Sequence, residues 1–243
     1  MTLTNRELTR YDRQIRIQEF GKKGQENLKK AHVVIAGAGG LGSSVSVYLA
    51  AAGIGQLSIV DHDAVELSNL NRQILHWERD IGESKIESIV KKLMQINSDI
   101  KVRGIREKIK EENVLELLKG ADAVVDCMDN FRTRFILNNA ILELDIPFFH
   151  GACAGFEGRA TTILPRKTPC LRCIMPQTPR EKKTPVLGAT AGTIGTIQAT
   201  EVVKYLAGAG SLLTNKLLVY DSLHLAYDLI KIERNPKCPS CGG

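Results

Sequence analysis

Apolar residues in the first 150 positions alternate between short continuous runs and stretches with helical spacing. The runs end at Ala36, Val60 and Asp126, and their apolar character predicts strands buried on both faces of a parallel sheet. After the second run, the apolar residues of positions 83–97 fall on one helical face, and they are Ile86, Ile89, Val90, Leu93 and Ile96. Strands that alternate with helices in this way predict an α/β fold with a Rossmann-like, doubly wound, mostly parallel sheet.

The two ends of the chain depart from this alternation. Thr4 and Glu7 form a capping-box sequence, and Leu8, Tyr11 and Ile15 continue it at helical spacing, which predicts an N-terminal helix. After Gly158 the pattern predicts C-terminal strands that pair antiparallel. Beyond residue 100 the predicted elements are strands at 101–109, 123–126, 146–149, 160–164, 216–220 and 223–232, helices at 113–119, 132–144 and 193–206, and a loop at 150–155.

A single domain is predicted for residues 1–243, because α/β folds of this length often bury one core. Residues 1–30 are expected to form a helical arm, residues 31–150 a nucleotide-binding core, and residues 151–243 a C-terminal part. Pro and Lys interrupt this last part at 174–187, which we interpret as a crossover loop because a helix and strands follow it.

Composition and charge narrow the functional classes. Lys and Arg number 33 against 27 Asp and Glu, so the net charge is +6, and it is spread along the chain in short clusters. This excess suits a polyphosphate or an acidic protein partner and does not indicate a nucleic acid. No apolar run approaches the roughly 18 residues of a membrane span. The polar N-terminus carries no secretory signal, so we expect a cytoplasmic protein without a membrane partner.

The first buried strand leads directly into the sequence GAGGLG at 37–42. Glycines permit a sharp turn and a close approach to a ligand, and the N–H groups that open the next helix can face phosphate oxygens. Asp61 ends the second strand about 20 residues later, where Rossmann-type units place an acid that binds a ribose hydroxyl. Strand, glycine turn, helix and acid together predict a Rossmann-like nucleotide site.

Two Cys-x-x-Cys pairs stand far apart in the chain, Cys170 with Cys173 and Cys238 with Cys241. Each pair can hold one side of a tetrahedral Zn²⁺ ion through two thiolates. A redox-active pair would have to open a thioredoxin-like helix, and structural disulfides are disfavoured in the cytosol. The spacing therefore predicts a structural zinc knuckle with four cysteine ligands, which joins the C-terminal tail to the base of the crossover loop.

Further motifs cover nearly the whole chain in order. They are RYDRQ at 10–14, GAGGLG at 37–42, DHDAVELSNLNRQ at 61–73, a helix start at 82–85, DCMDN at 126–130 and the two Cys-x-x-Cys pairs. In these motifs the sequence resembles the molybdopterin- and thiamin-biosynthesis activating enzymes (MoeB, ThiF, HesA), relatives of the ubiquitin-activating enzymes. The resemblance implies ATP-dependent adenylation of the C-terminal carboxylate of a small ubiquitin-like carrier protein that ends in Gly-Gly.

The resemblance also implies roles for individual residues. Asp61 would bind the ribose, Asn69, Arg72 and Lys85 the phosphates, and Asp129 a Mg²⁺ ion. Arg13 would reach into the neighbouring subunit's site, which implies a homodimer. The candidate catalytic residues are Arg13, Arg72, Lys85 and Asp129, and the candidate nucleotide-binding residues are Gly37, Gly39, Gly40, Gly42, Asp61, Asp63, Ser68, Asn69, Asn71, Arg72, Lys85, Asp129 and Asn130.

One departure from the family concerns the step after adenylation. Several members carry a cysteine four residues before a GVLG-like motif, whereas Glu181 stands at that distance from PVLG here, followed by Lys182 and Lys183. None of these three side chains can form a thioester. We therefore expect the acyl-adenylate to be the product, with a sulfur donor or another acceptor attacking it from outside. Of the two cysteines outside the Cys-x-x-Cys pairs, Cys127 is expected in the core and Cys153 in a loop near the site.

Two other interpretations stay open. An NAD-dependent dehydrogenase shares the glycine turn and the ribose acid but leaves Arg72, Lys85 and the zinc knuckle unexplained. A non-catalytic scaffold on the same fold explains the missing crossover cysteine but not the full set of phosphate and Mg²⁺ groups. Asp129 has a structural alternative as well, since it could cap the helix that starts near Arg132. The carrier protein, its pathway and the sulfur donor stay open.

Overall fold

The computed structural model describes residues 2–177 and 184–242. The chain begins with three short helices, and strands and helices then alternate before an antiparallel C-terminal part. The elements are α1 (Asn5–Arg10), α2 (Asp12–Ile15), α3 (Gly21–Lys30), β1 (His32–Ala36), α4 (Gly40–Ala52), β2 (Gln56–Val60), α5 (Lys85–Ile96), β3 (Lys101–Ile105), α6 (Val114–Leu118), β4 (Ala123–Asp126), α7 (Phe131–Leu144), β5 (Phe148–Ala154), β6 (Glu157–Ile163), α8 (Leu171–Ile174), α9 (Gly188–Ala207), β7 (Lys216–Asp221) and β8 (Ala226–Lys231), with 3₁₀ turns at Leu67–Asn69 and Glu78–Asp80.

The strands of the described residues form one sheet in the order β3-β2-β1-β4-β5-β6-β7-β8. The pairs between β3 and β5 are parallel, and those between β5 and β8 are antiparallel. The chain moves outward from β1 to β3 and returns to the other side of β1 with β4. This confirms the predicted doubly wound, mostly parallel sheet with antiparallel C-terminal strands.

Two apolar cores cover the parallel half of the sheet, one on each face. Alternate side chains of a strand point to opposite faces. Val33 and Ile35 of β1 therefore join a core with residues of α4, α5 and α9, whereas Val34 and Ala36 join a second core with residues of α6 and α7. Because both faces are covered, the strand ends are where polar side chains gather.

The prediction of a loop at 150–155 is wrong for residues 150–154, which extend β5. His150 to Ala154 pair with Thr161 to Glu157 of β6. A Cβ atom at Gly151 would lie 2.4 Å from the Gln198 side chain of α9. Small residues are thus needed there because a helix crosses close to the strand, and not because the chain turns.

The N-terminal helix is shorter than predicted. Thr4 caps α1 and forms the capping box with Glu7, as the sequence indicated, but the helix ends at Arg10. The buried Tyr11 ring lies against Gly53, and its hydroxyl accepts a hydrogen bond from Asn97 at 2.8 Å. This tertiary contact lies where the chain passes from α1 into α2.

Several other boundaries differ from the predictions, and β6 begins at Glu157 instead of residue 160. β3 ends at Ile105 instead of residue 109, and α9 begins at Gly188 instead of residue 193. β8 begins at Ala226 because residues 222–225 turn the hairpin, with Leu225 at φ 53°. In the described part of the chain, no helix has the length and apolar character needed to cross a membrane.

Candidate active site

A cavity of about 1390 Å³ opens at the carboxyl ends of the parallel strands. Ligands bind at this edge of doubly wound sheets, where the strand order reverses. The reversal lies at β1, between β2 and β4. Ten of the candidate residues line the cavity, and they are Gly37, Gly39, Gly40, Asp61, Asp63, Asn71, Arg72, Lys85, Asp129 and Asn130.

The glycine turn connects β1 to α4 at one wall of the cavity. Gly37 has φ +106°, and a Cβ atom there would lie 2.7 Å from the Cys127 carbonyl oxygen, so the position requires glycine. A Cβ atom at Gly42 would lie 2.0 Å from the Gly37 carbonyl oxygen. Gly42 therefore lets α4 pack against the turn and does not line the cavity.

Asp61 follows β2 and faces the glycine turn. One carboxylate oxygen accepts a hydrogen bond from the Ala38 N–H at 2.7 Å, and the other accepts one from the Asp63 N–H at 2.9 Å. A carboxylate can accept about four hydrogen bonds. The side chain is thus held at the cavity wall with capacity left for a ribose hydroxyl.

Lys85 begins α5, and Asp63 lies opposite it in the loop after β2. Lys85 is only 6% exposed, and its Nζ donates a hydrogen bond to Asp63 Oδ2 at 2.9 Å. Burial would raise the pKa of the Asp63 carboxyl, but the hydrogen bond and charge of Lys85 outweigh it and lower that pKa. The two residues therefore form an ion pair that holds a positive charge at the cavity wall.

Arg72 lies at the cavity on a loop supported by its own chain. Its Nη1 donates to the Ser68 carbonyl oxygen at 2.8 Å and to Asn71 Oδ1 at 3.0 Å. Asn69 is buried, and its side-chain oxygen accepts the Glu66 N–H at 3.1 Å. Ser68 and Asn69 do not line the cavity. In this structure they hold the loop that presents Arg72.

Asp129 and Asn130, which follow β4, have different environments. Asn130 caps α7, since its Oδ1 accepts the Thr133 N–H at 2.9 Å, so the alternative role of Asp129 as the cap is wrong. Asp129 is exposed to the cavity, and its one hydrogen-bond partner in the described residues is Asn130 Nδ2, at 3.4 Å. Its carboxylate is therefore available to a cation, a role that suits Mg²⁺ chemistry.

Arg13 lies on α2, exposed and outside the cavity of its own chain. Other residues of RYDRQ are held by the same chain. Arg10 binds Asp99 and the Ile96 carbonyl oxygen, and Gln14 Nε2 donates to Gln25 Oε1 at 2.8 Å. The motif thus fixes α2 on the molecule while Arg13 stays at the surface.

A buried charged cluster at the inner wall was not assigned a role from the sequence. Asp126 ends β4, fully buried, and its Oδ2 lies 2.6 Å from His150 Nδ1 and 3.5 Å from Arg134 Nε. Arg134 also donates to the carbonyl oxygens of Met128 and Gly151. The signal was the end of the apolar run AVVD, which places Asp126 at the same sheet edge as Asp61.

His150 and Cys153 line this part of the cavity in neutral form. Burial lowers the pKa of His150, although the hydrogen bond with Asp126 opposes that effect. Burial raises the pKa of Cys153 to about 12, and its Sγ lies 3.8 Å from the Thr190 carbonyl oxygen. The Cys153 thiol is therefore protonated at neutral pH. The core position expected for Cys127 is confirmed, since that residue is buried.

The four Cys-x-x-Cys thiols meet at the second core, which also contains residues of α7. The Sγ atoms of Cys170 and Cys238 are 3.6 Å apart, those of Cys173 and Cys241 are 3.4 Å apart, and all four lie within 4.8 Å of one another. Four sulfurs at about 2.3 Å from a tetrahedral Zn²⁺ would be roughly 3.8 Å apart. The arrangement fits a structural zinc ion. Glu181, Lys182 and Lys183 lie outside the described residues.

Comparison with known proteins adds a second line of observation. The model of the ThiF family matches residues 11–240. The SAMP-activating enzyme E1 of Haloferax volcanii is 42% identical over 100% of this chain and 92% of its own length. The sulfur carrier protein adenylyltransferase of Thermus thermophilus is 40% identical over 100% of this chain and 93% of its own. The adenylyltransferase and sulfurtransferase MOCS3 of Anopheles gambiae is 41% identical, but this chain spans only 55% of its length.

Solved structures agree with this result. Escherichia coli MccB in complex with ATP superposes with a TM-score of 0.87 at 28% identity, covering 99% of this chain and 75% of MccB. MccB alone gives a TM-score of 0.88 at 26% identity over the same 99% of this chain and 74% of its own. The likeness covers the glycine turn, the cavity and the antiparallel strands together.

Proposed function

This chain belongs to the ThiF family and is an adenylyltransferase, and we propose that it activates the C-terminal carboxylate of a small ubiquitin-like sulfur carrier that ends in Gly-Gly. The products are the carrier acyl-adenylate and pyrophosphate. The observation that carries the proposal is that Arg72, Lys85 and Asp129 converge with the glycine turn on one cavity. A dehydrogenase that binds NAD is not favoured, because it has no use for this set of charges.

In the proposed reaction, a carboxylate oxygen of the carrier attacks the α-phosphorus of ATP. A P–O bond forms, the bond from the α-phosphorus to the bridging oxygen breaks, and its electron pair leaves with pyrophosphate. The site must hold two anions together and neutralise charge on the leaving group. Arg72, the ion-paired Lys85 and the N–H groups of the glycine turn bind phosphate oxygens, and Asp61 orients the ribose.

Asp129 is the proposed ligand of Mg²⁺. A carboxylate at the cavity with one weak protein contact fits an ion that is held by few protein oxygens and by substrate phosphates. When bound, Mg²⁺ would offset the negative charge of the phosphates. The four thiols of Cys170, Cys173, Cys238 and Cys241 are proposed to hold Zn²⁺ in a structural role, because all four ligands come from the protein.

The enzyme is proposed to act as a homodimer in which Arg13 completes the partner's site. Two observations support this. The RYDRQ motif is fixed to its own chain except at the exposed Arg13, and the loop that carries Arg72 exposes the large apolar residues Leu67 (69%) and Ile74 (60%). Apolar residues exposed beside a site typically mark a protein contact.

The acyl-adenylate is the proposed product of the enzyme itself. Cys153 is the cysteine that lines the cavity and is not buried in the core, and its raised pKa leaves it without the thiolate that a thioester needs. An external sulfur donor would then attack the acyl carbon and release AMP.

Carrier-dependent exchange of pyrophosphate into ATP tests the proposal. The protein is incubated with ATP, labelled pyrophosphate and candidate carriers ending in Gly-Gly, and the carriers are weighed by mass spectrometry. We expect exchange and a carrier mass increased by one adenylyl group. Matched carriers with the terminal glycine removed should give neither. Clear ATP binding without exchange for any carrier would instead support a non-catalytic scaffold.

Subunit mixing tests the shared site separately. Arg13→Ala and Asp129→Ala proteins should each be inactive, and their mixture should recover part of the exchange activity. One site of a mixed dimer then receives both intact groups. If subunits exchange, as measured with differently tagged chains, and no activity returns, Arg13 does not act on the partner.

A further inference from the structure

The glycine turn contains one residue that is not glycine between Gly37 and Gly40, and both of its backbone groups are held by side chains. Ala38 is fully buried. Its N–H donates to Asp61 at 2.7 Å, and its carbonyl oxygen lies 3.0 Å from His76 Nε2. Gly39, which follows it, lines the cavity. Gly37 and Gly39 are held by backbone groups, since the Gly37 N–H donates to the Val60 carbonyl oxygen at 2.9 Å and the Gly39 carbonyl oxygen accepts the Ser43 N–H at 2.8 Å. The peptide between Ala38 and Gly39 is held by a side chain, through the carbonyl oxygen of Ala38.

The carbonyl group of Ala38 and the N–H group of Gly39 belong to one peptide plane. In a trans peptide these two groups point in opposite directions. A hydrogen bond that draws the Ala38 oxygen toward His76 therefore directs the Gly39 N–H away from His76. In the described residues that N–H has no hydrogen-bond acceptor of its own. Because Gly39 tolerates many backbone angles, the plane could otherwise rotate and present an oxygen to an anion.

His76 is held for this contact by a buried polar chain that the proposed mechanism does not use. The carbonyl oxygen can only accept, so Nε2 carries the proton, and Nδ1 lies 2.8 Å from the Ser88 hydroxyl. Lys92 donates to the same hydroxyl at 2.8 Å and pairs with Asp80. Burial holds the pKa of His76 below its usual range, so the ring is neutral and Nδ1 can only accept. Ser88 Oγ also lies 3.0 Å from Asp80 Oδ2, and it has one proton to donate. Because Asp80 already accepts hydrogen bonds from Lys92 and the Trp77 N–H, the Ser88 proton is assigned to Nδ1.

We infer that His76 is a positioning residue that turns the Gly39 N–H toward the phosphates of ATP, with Ser88 fixing the tautomer of the ring. The inference rests on the proposed function, since it requires that the cavity binds a nucleotide. His76 is 3% exposed and does not line the cavity, so it acts on the ligand only through the Ala38–Gly39 peptide.

If His76 has this role, its loss should weaken the binding of ligands that carry phosphates and should not weaken the binding of ligands without them. A hydrogen bond to a charged group is among the stronger ones, and losing it weakens binding by about tenfold or more. Adenosine has the base and the ribose but no phosphate. His76→Leu should therefore weaken binding of ATP about tenfold and leave binding of adenosine within about twofold. A loss that is merely structural would reduce both affinities.

Calorimetric titration of the full chain with ATP and with adenosine measures the two affinities, before any carrier is added. His76→Gln is the conservative variant, because its amide N–H₂ can donate to the same carbonyl, and it should retain more ATP affinity than His76→Leu. Ser88→Ala should give a smaller loss of ATP affinity through the wrong ring tautomer. Thr162→Val removes a buried hydrogen bond to Glu201 elsewhere in the sheet and controls for general destabilisation.

Parallel losses of ATP and adenosine affinity, or an unchanged ATP affinity in folded His76→Leu protein, would overturn the inference. The inference would also be overturned if the control Thr162→Val changed the ratio of ATP affinity to adenosine affinity as much as His76→Leu does. If His76→Leu does not fold, the ratio of ATP affinity to adenosine affinity in His76→Gln and Ser88→Ala tests the inference instead. A wild-type protein that binds no ATP would refute the proposed function, whereas normal ATP binding with an unchanged ratio in the variants refutes only the role of His76.

Discussion

The two halves of the sheet differ in what covers them. Almost all residues of β1, β2 and β4 are buried between two helical layers, whereas all six residues of β8 are exposed. In the parallel half, the charged groups of the cavity therefore lie at the edge of the apolar cores and are not part of them. The stability of this half should depend little on these charges. The C-terminal strands have less apolar cover, and the C-terminal part of the chain contributes four thiols that meet beside α7 at the second core. Substitutions in the two halves should thus separate activity from stability.

The largest effect is expected from the cavity charges of the parallel half. Arg72→Ala or Asp129→Ala should reduce carrier-dependent exchange at least about a hundredfold, because the first removes a proposed phosphate-binding charge and the second a proposed ligand of Mg²⁺. Thermal unfolding should change little, since the exposed Asp129 packs into neither core. Arg103→Ala, on the exposed face of β3, is the matched charge deletion and should leave exchange unchanged. Equal losses of activity and stability in the cavity variants would remove the distinction between the halves.

The opposite result, lower stability with little change in ATP affinity, is expected from substitutions of the thiols in the C-terminal part of the chain. Metal analysis of the wild-type protein should find about one zinc per chain. Cys241→Ser should lose that metal and unfold at a clearly lower temperature, because metal binding contributes directly to folding free energy. ATP affinity measured below the unfolding transition should stay within about twofold. Cys153→Ala is the control and should keep its zinc. A metal-free protein of full stability would contradict this account.

A smaller effect is expected from acid on the buried ion pair of Asp80 and Lys92. Burial raises the pKa of Asp80, but hydrogen bonds from Lys92 and the Trp77 N–H outweigh it and hold that pKa below its usual range. A carboxyl with a lowered folded pKa stabilises the native state above its unfolded pKa and loses that contribution as the pH falls through the folded value. Urea unfolding should therefore show that stability falls more steeply from about pH 5 to about pH 3 in wild type than in Asp80→Asn.

The control for this pH dependence is Glu116→Gln, which alters a fully solvated pair with Lys119. It should follow the wild-type curve, since exposed pairs contribute little. Identical slopes for wild type and Asp80→Asn would show that the pair does not set the acid sensitivity of the parallel half.

The smallest effect is expected from Cys153, which lies where the two halves meet. Cys153→Ala should leave exchange within about twofold, because the protonated thiol takes no part in adenylation. After turnover, non-reducing gels should show no adduct between enzyme and carrier that is sensitive to dithiothreitol. A covalent adduct that disappears in Cys153→Ala would make Cys153 the nucleophile.

Local patterns in the sequence were sufficient for β1, β2 and β4 of the parallel half. The apolar runs at β1, β2 and β4 and the glycine turn are contiguous signals, and the structure places them as predicted. The extension of β5 was missed because pairing with β6 and the passage of Gln198 are long-range contacts. The Asp126 and His150 contact joins residues on neighbouring strands, so no spacing along the chain reveals it. Motif matching found Ser68 and Asn69 but could not show that they support the loop without facing the cavity.

The positions of the four thiols in the chain determine when a metal ion can be bound during translation. Cys170 and Cys238 are separated by 68 residues, and the segment between them includes α9, β7 and β8. While the ribosome is still making that segment, Cys170 and Cys173 have no second pair to complete a tetrahedral site. A zinc ion can be captured by all four thiols only after the hairpin strands have been translated. Stable metal retention would therefore report that translation has passed Cys241, and a nascent chain arrested before Cys238 would release its metal readily to a chelator.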